Sequence, residues 1–222
     1  MIQQDFSGKV VLVTGAGRGL GRRAAEAFAM RGAMVAANDI SPVNVEQVVQ
    51  QINASGGKAR AYVHDVAKKV AVQAMVNEIG DEFGRIDILV NSANVEPSGP
   101  LLEIDEWDLH RIFEVNTIGA ILMMQSVGRV MRAQGGGVIV NLVKLPVEAK
   151  RAAYAGSRLA LAGLTRQAAD EFSAYNIRVH AVMVGLPELA DPGQGYSDPL
   201  EALLALCGEE TAGETGKILN VG

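Results

Sequence analysis

The chain has 222 residues, of which 49% are hydrophobic and 20% are charged, so it can bury a sizeable core and is not intrinsically disordered. Its formal net charge is −5, from 20 basic and 25 acidic residues, which argues against a nucleic-acid or anionic-membrane partner. This length corresponds to one domain or at most two small ones.

A single cysteine, Cys207, excludes an internal disulfide and a cysteine metal cluster, so we expect a reducing compartment. The stretch 1–9 lacks the apolar core of a signal peptide, and no apolar run is long enough to span a membrane. His64, His110 and His180 are far apart and have no metal-ligand spacing, so no metal site is expected. These features predict a cytoplasmic protein.

Short apolar runs alternate along the chain with longer segments of helical periodicity. The first run, 9–14, is β-branched, continuous and followed at once by glycines, which is typical of a buried strand. Continuous apolar strands indicate a sheet that is covered on both faces, as in parallel α/β folds. The predicted strands are 9–14, 33–39, 59–63, 86–91, 138–143, 177–184 and 217–221.

Helical periodicity fills most of the intervals between these strands. The predicted helices are 20–31, 43–55, 69–83, 105–133 and 152–174. The segment 186–199, between the last two strands, is broken by proline and glycine and has no amphipathic helical pattern. The pattern predicts one doubly wound, Rossmann-like α/β domain over 1–222.

The first predicted strand runs into a glycine-rich turn, 14–21, with the spacing T-G-x-x-x-G-x-G. Glycines at a strand–turn–helix junction let the backbone approach a pyrophosphate, whose charge then lies at the helix N-terminus. A turn that serves packing alone is the alternative. The candidate contacts to a dinucleotide in this turn are Gly15, Arg18, Gly19, Leu20 and Gly21.

Asp39 ends the second predicted strand, where a carboxylate can bind the hydroxyls of an adenosine ribose. Because a carboxylate there would repel a 2′-phosphate, Asp39 favours NAD over NADP. Arg18 argues in the other direction, since a guanidinium in the turn can meet such a phosphate. A turn or helix cap is the alternative interpretation of Asp39.

With these and several further motifs, the chain resembles the short-chain dehydrogenase/reductase family over essentially all of its length. The motifs after the turn are 64–66, 87–91, 114–119, 137–141, 176–182 and 215–221. The resemblance implies a nicotinamide cofactor, contacted by Asp65, Val66 and Asn91 in addition to the turn. It also implies hydride exchange between the cofactor and a carbonyl or alcohol carbon.

The resemblance further implies an active site of Ser, Tyr and Lys with a supporting Asn, of which Tyr154 and Asn116 are present. Arg158 stands four residues after the tyrosine, in place of the lysine, and is expected to form a salt bridge or to be solvated. Lys144 falls where the serine is expected, and there is no Ser or Thr from 127 to 153. The result is a remnant site in which Lys144 and Arg158 are expected to face each other.

Two further departures from the family pattern lie near this site. Asn94 replaces a glycine of the fourth-strand motif, and it would either crowd the cofactor ribose or adopt a left-handed backbone. The segments 144–153 and 186–214 are shorter than their family counterparts, so little of a helical substrate lid is expected. NAD occupancy is therefore favoured by the turn and Asp39 but opposed by these changes.

The intact fold pattern and the altered site predict a pseudoenzyme, the non-catalytic subunit of a hetero-oligomeric NAD-dependent oxidoreductase. By analogy within the family, its partner would be a catalytically complete sister subunit in a heterotetramer or similar assembly. That assembly would act on a hydroxyacyl-CoA in anaerobic aromatic degradation, with contacts through the helices near 105–133 and 152–174. The alternatives are an active alcohol or hydroxyacyl dehydrogenase that uses Tyr154, Arg158 and Asn116, and an NAD-binding scaffold or regulator.

Overall fold

The computed structural model describes residues 4–97, 99–146, 151–185 and 196–221 of the chain. One parallel sheet has the strand order β3-β2-β1-β4-β5-β6-β7. The strands are β1 (Val10–Thr14), β2 (Met34–Asp39), β3 (Lys58–Val63), β4 (Ile88–Asn91), β5 (Gly137–Lys144), β6 (Ile177–Val184) and β7 (Ile218–Val221). Each lies within about two residues of its predicted range, and the doubly wound α/β fold is confirmed.

Helices cover both faces of the sheet. They are α1 (Gly19–Ala29), α2 (Pro42–Ala54), α3 (Lys69–Phe83), α4 (Glu106–Phe113), α5 (Ala120–Gln134), α6 (Ala152–Ser173) and α7 (Pro199–Cys207). One apolar core packs α1, α2 and α7 against one face, and a second packs α3, α5 and α6 against the other. This two-sided burial explains why the strands are continuously apolar. In the described ranges, no helix is both long and apolar enough to cross a membrane.

The helix predicted over 105–133 is interrupted in the structure by a π-helical segment, Glu114–Gly119, between α4 and α5. Asn116 and Thr117, two adjacent residues of this segment, both hydrogen-bond Ser157 of α6. The wider π turn lets two neighbouring side chains reach the same helix, and such turns are frequent at functional sites.

A short helix that the sequence analysis did not identify, α7, lies between β6 and β7 and begins at the end of the segment 186–199. The Asp198 carboxylate accepts a hydrogen bond from the Leu200 amide at 3.0 Å, and Pro199 begins the helix. This short helix is almost wholly apolar and is packed against the sheet and α1, so no polar stripe marks its period. The part of the predicted shortened lid at 186–195 lies outside the described residues.

Strand β6 carries two basic side chains on the face that α7 covers. Arg178 donates hydrogen bonds to the carbonyls of Leu206 and Gly208 at the end of α7, at 3.2 Å each, where a cation is favourable. His180, on the same face, is fully buried, and neither ring nitrogen has a hydrogen-bond partner in the described part of the chain. Burial, together with the charges of Arg178 and Lys217, lowers the pKa of His180 to about 4, so the ring is neutral at pH 7.

The strand order places β1 and β4 at the point where the sheet reverses its direction of growth. At such a point the connections diverge to opposite sides and leave a crevice at the carboxyl ends of the strands, where dinucleotides bind. The segments that follow β1, β2, β4 and β5 reach this edge. They hold most of the residues that the sequence indicates.

Candidate active site

The glycine-rich turn after β1 is packed so closely that side chains are excluded from parts of it. Gly15 has a left-handed backbone, with φ of +64°, and a Cβ there would lie 2.8 Å from the Cα of Ala93. A Cβ on Gly21 would overlap the carbonyl oxygen of Gly15. Gly19 also has a positive φ, of +57°, but faces open space. The turn therefore lies directly against the segment after β4.

The N-terminus of α1 has no side-chain cap. Arg18, the N-cap residue, is exposed and its side chain makes no hydrogen bond to the first turn. Leu20 packs against the core below. The first-turn N–H groups are thus available to an anion, which the helix dipole also favours, and this end of the site fits a pyrophosphate.

The Asp39 carboxylate is hydrogen-bonded to the main chain of this turn. Its Oδ2 accepts a hydrogen bond from the Gly17 amide at 2.9 Å, and its Oδ1 accepts one from the Ser41 amide at 2.9 Å. A Cβ on Gly17 would lie 2.8 Å from Oδ2, so glycine is required for this contact. Each carboxylate oxygen can accept a second hydrogen bond. Asp39 is therefore held in place and can still bind a ribose.

If the crevice binds a dinucleotide through Asp39, replacing Asp39 with asparagine is expected to weaken that binding about tenfold, or ~1.4 kcal/mol, with NAD as the probe. The new amide nitrogen would face the N–H of Gly17 or Ser41, so one hydrogen bond is lost together with a charge-assisted contact to the ribose. Isothermal titration calorimetry of the purified variant measures the change. Asp170→Asn, which alters an exposed carboxylate on α6, is the matched control. Equal affinities in both variants would contradict the role of Asp39.

Three predicted residues converge at the centre of the crevice. Val66, Asn91 and Asn116 line one small cavity there. Asp65, next to Val66, is turned toward α4, where its carboxylate pairs with Arg111 at 3.3 Å. The structure thus brings the predicted contacts of β3, β4 and the π-helical segment together.

Asn91 begins a buried chain of hydrogen bonds. Its Nδ2 donates to Oδ1 of Asn141 at 2.9 Å, and Nδ2 of Asn141 donates to Oγ1 of Thr165 at 3.0 Å, which ties β4 and β5 to α6. Asn94 does not have the left-handed backbone considered for it, since its φ is not positive. Its side chain lies beside the Tyr154 phenol, whose pKa it acts to lower, and its buried Oδ1 has no hydrogen-bond partner in the described part of the chain.

Asn116 holds two neighbouring segments together. Its Oδ1 accepts a hydrogen bond from the Val95 amide and its Nδ2 donates to the Val95 carbonyl, each at 2.9 Å. Nδ2 also donates to the Ser157 hydroxyl at 3.1 Å, and that hydroxyl donates to the Tyr154 carbonyl at 2.7 Å. Ser157 is therefore committed to the main chain and does not replace the missing serine.

Tyr154 is buried, with 1% of its surface exposed, and its phenol donates a hydrogen bond to the Lys144 carbonyl at 3.0 Å. Burial raises the pKa of Tyr154, and the charge of Arg158 opposes this only in part. A tyrosine that exchanges a proton near pH 7 needs its pKa lowered from about 10. The surroundings of Tyr154 act in the opposite direction.

The expectation that Arg158 is salt-bridged or solvated is wrong. The side chain is 2% exposed, and its guanidinium donates to the carbonyls of Leu142, on β5, and Asn116, in the π-helical segment. Among the described residues, no carboxylate lies within 4.0 Å of it. Burial lowers the pKa of Arg158, although arginine remains protonated in proteins. Arg158 therefore links two main-chain segments through hydrogen bonds.

Lys144 does not face Arg158, which corrects a second expectation. Its side chain is 62% exposed, and Nζ lies 3.9 Å from Oε2 of Glu96. The other oxygen of Glu96 pairs with Nη1 of Arg151 at 2.7 Å. Glu96 therefore joins the end of β5 to the start of α6 above Tyr154. Sequence reasoning missed this carboxylate, because a lone Glu in a loop carries no motif.

Known proteins resemble this chain over most of its length. A protein-family model described as short chain dehydrogenase matches residues 9–191. An uncharacterised oxidoreductase of Thermotoga maritima is 43% identical over 187 residues, 82% of this chain and 72% of that protein. The (2S)-[(R)-hydroxy(phenyl)methyl]succinyl-CoA dehydrogenase subunit BbsD of Thauera aromatica is 32% identical over 234 residues, 96% of this chain and 94% of that one. A crystal structure of NAD+-bound xylitol dehydrogenase aligns with a TM-score of 0.85 at 28% identity, covering 97% and 98% of the two chains.

Proposed function

Because the chain belongs to the short-chain dehydrogenase family, we propose that it is a non-catalytic subunit of a hetero-oligomeric dehydrogenase of that family. The observation that carries the proposal is the state of the remnant proton-transfer site. Lys144 stands at the expected serine position, the Tyr154 phenol is bound to a main-chain carbonyl, and the Arg158 guanidinium is bound to two others.

The family's reaction moves a hydride between a nicotinamide and a substrate carbon, and a bound dinucleotide supplies or accepts that hydride. The oxygen on the same carbon must exchange a proton with the protein. Tyr154 holds its proton against the Lys144 carbonyl and has a raised pKa. Arg158 does not deprotonate and cannot relay a proton. The chain thus keeps the binding turn while its own proton transfer is blocked.

The partner that we propose is a catalytically complete sister subunit. Leu101, Leu102 and Trp107, just before and within α4, are 64%, 98% and 72% exposed. Large apolar side chains exposed together are typical of surfaces that bind another protein. Gly156 and Gly163 are exposed on α6 and permit another helix to approach closely. These features support an assembly through α4 and α6.

The substrate class and the cofactor are part of the same proposal. BbsD of Thauera aromatica is named as a subunit of a dehydrogenase for a hydroxyacyl-CoA thioester. This similarity supports a hydroxyacyl-CoA substrate for the assembly, and we propose anaerobic aromatic degradation as its setting by analogy within the family. The Asp39 carboxylate, fixed at the ribose position, supports NAD over NADP because it would repel a 2′-phosphate.

Native mass spectrometry of the complex purified from its source is the direct test. We expect this chain together with a second family member that has the Ser, Tyr and Lys residues. The isolated chain is expected to form no NADH from a panel of hydroxyacyl-CoA thioesters and alcohols. An ordinary rate of NADH formation by the isolated chain, abolished by Tyr154→Phe, would show an active dehydrogenase instead.

A second candidate function, an NAD-binding scaffold or regulator, is favoured by the intact contact between Asp39 and Gly17. In that case NAD would change the affinity of the chain for its partner. Surface plasmon resonance of the two subunits with and without NAD measures this directly. Equal affinities under both conditions would exclude a regulatory role.

A further inference from the structure

We infer that the surface formed by residues 101–110 binds a protein partner whose contact face is an apolar pocket edged by lysine and arginine, and that it rejects a second copy of this chain. The range 101–110 covers the turn before α4 and the first residues of that helix. The inference rests on the proposed function, because it specifies what the surface of the partner subunit must carry. It also supplies a physical reason for an assembly of two different chains.

Three large apolar side chains project into solvent from this surface. Leu102 is 98% exposed and Trp107 is 72% exposed, and Leu101 is exposed beside them. A single exposed apolar side chain is ordinary, but three within seven residues form a patch that favours burial against another protein. Tryptophan is among the residue types that carry most of the affinity of protein interfaces. The patch therefore supplies the apolar centre of a docking surface.

The backbone that carries this patch is already ordered. The Pro100 carbonyl accepts hydrogen bonds from the amides of Glu103 and Ile104, at 2.9 and 3.0 Å, which closes the turn before α4. The Asp105 carboxylate caps α4 by accepting a hydrogen bond from the Asp108 amide at 2.8 Å. A partner would therefore meet a preformed surface, and little of the binding free energy would be lost to ordering it.

The same surface carries negative charge without a compensating cation. The range 101–110 contains no lysine or arginine and four carboxylates, those of Glu103, Asp105, Glu106 and Asp108. Glu106 lies 3.6 Å from the His110 ring, and both side chains are exposed, so this pair neutralises little of the charge. Arg111, the next cation along the chain, pairs with Asp65 at 3.3 Å. Among the described residues, no lysine or arginine lies within 4.0 Å of the four carboxylates.

This charge decides which partner fits the surface. In a contact between two copies related by a two-fold axis, the surface of one chain would face the identical surface of the other. Four carboxylates of each copy would then meet in a contact that excludes water, where like charges are strongly unfavourable. A partner with lysine and arginine around an apolar pocket gains attraction instead and associates faster. The surface thus selects a different chain.

Surface plasmon resonance with the other subunit of the complex purified from its source tests the inference. At about 0.05 M NaCl, Glu103→Gln/Glu106→Gln should associate with that subunit about fivefold more slowly than the natural chain, and at about 0.5 M NaCl the two rates should agree within about twofold. Glu209→Gln/Glu210→Gln, which alters two exposed carboxylates beyond α7, is the matched control and should associate at the natural rate. Trp107→Ser should raise the Kd about tenfold or more at either salt concentration. An unchanged association rate in the first variant, an equal change in the control, or an unchanged Kd in Trp107→Ser would overturn the inference.

Sedimentation velocity of the isolated chain tests the rejection of a second copy. Trp107→Ser and the natural chain should have the same oligomeric state, because no contact between copies uses this surface. Dissociation of an oligomer of the natural chain by Trp107→Ser would overturn the inference, as would a purified complex that holds only copies of this chain. The proposed function fails by a different result, NADH formation by the isolated chain, so the two failures are distinguishable.

Discussion

Replacing Gly21 with alanine is expected to lower the free energy of unfolding by about 3 kcal/mol and to abolish dinucleotide binding. The new Cβ would overlap the carbonyl oxygen of Gly15 and lie 2.9 Å from its carbonyl carbon. It would also lie 2.9 Å from the Ser92 hydroxyl oxygen. Because the Gly15 atoms are main chain, relief requires the turn to move away from α1, which displaces the pyrophosphate site.

Urea unfolding and calorimetric titration of the variant measure both effects. Gly80→Ala is the matched control, since Gly80 lies inside α3 and a Cβ there would have no heavy atom within 4 Å. That variant should be more stable by about 0.5–1 kcal/mol and should bind normally, because alanine favours helix. Equal stability changes in the two variants would contradict the packing described for the turn.

Acid is expected to remove about 3 kcal/mol of stability through His180 between pH 6.5 and pH 4. The pKa of His180 is about 4 in the folded protein and 6.5 when unperturbed, so the unfolded state binds a proton first as the pH falls. The contribution is therefore complete above pH 6.5, is lost progressively down to pH 4, and changes no further below that. The charged groups that bear on the ring are Arg178, Lys217 and Glu214, and the two cations reinforce the effect of burial.

His180→Leu isolates this effect from the other groups that titrate in acid. The leucine places an apolar side chain of similar length under α7, and it has no ring nitrogen that could be protonated. Free energies of unfolding from urea titrations at pH 7 and pH 4 should fall by about 3 kcal/mol less in the variant than in the natural protein. His110→Asn is the control, because His110 is exposed on α4. This variant should lose the same free energy of unfolding between pH 7 and pH 4 as the natural protein. An equal loss of the free energy of unfolding between pH 7 and pH 4 in His180→Leu and the natural protein would refute this role of His180.

The strands could be predicted almost to the residue, because a strand that is buried on both faces of the sheet consists of a continuous run of apolar residues. Most helices followed from their periodicity. α7 could not be predicted, since a short helix that is apolar all round has no period to detect. The π-helical segment could not be predicted for a related reason. A π-helix differs from an α-helix in its number of residues per turn, and the residue types of this segment do not differ from those of the helices on either side.

The sequence predicted which residues form the candidate site, but it did not predict the contacts that those residues make. The turn and Asp39 carry their chemistry in their spacing, and the structure joins them through the Gly17 amide. The environment of Arg158 was mistaken, because a charged residue is ordinarily placed at the surface unless a charged partner is evident. Lys144 was mistaken in the other direction, since it was expected to face Arg158 in the pocket and is 62% exposed beside Glu96. Nothing in a sequence shows that main-chain carbonyls of β5 and the π-helical segment offer Arg158 another partner.

The contacts of Arg158 also bear on what its substitution would do to the fold. Its planar guanidinium presents N–H donors on separate nitrogens, which reach the carbonyls of Leu142 and Asn116 from one side chain. An ammonium has three donors on one atom, so a lysine here would need that single atom to lie within reach of both carbonyls. A buried carbonyl left without its donor would cost about 1–3 kcal/mol. Through this one side chain, the local stability of β5 is coupled to that of the π-helical segment.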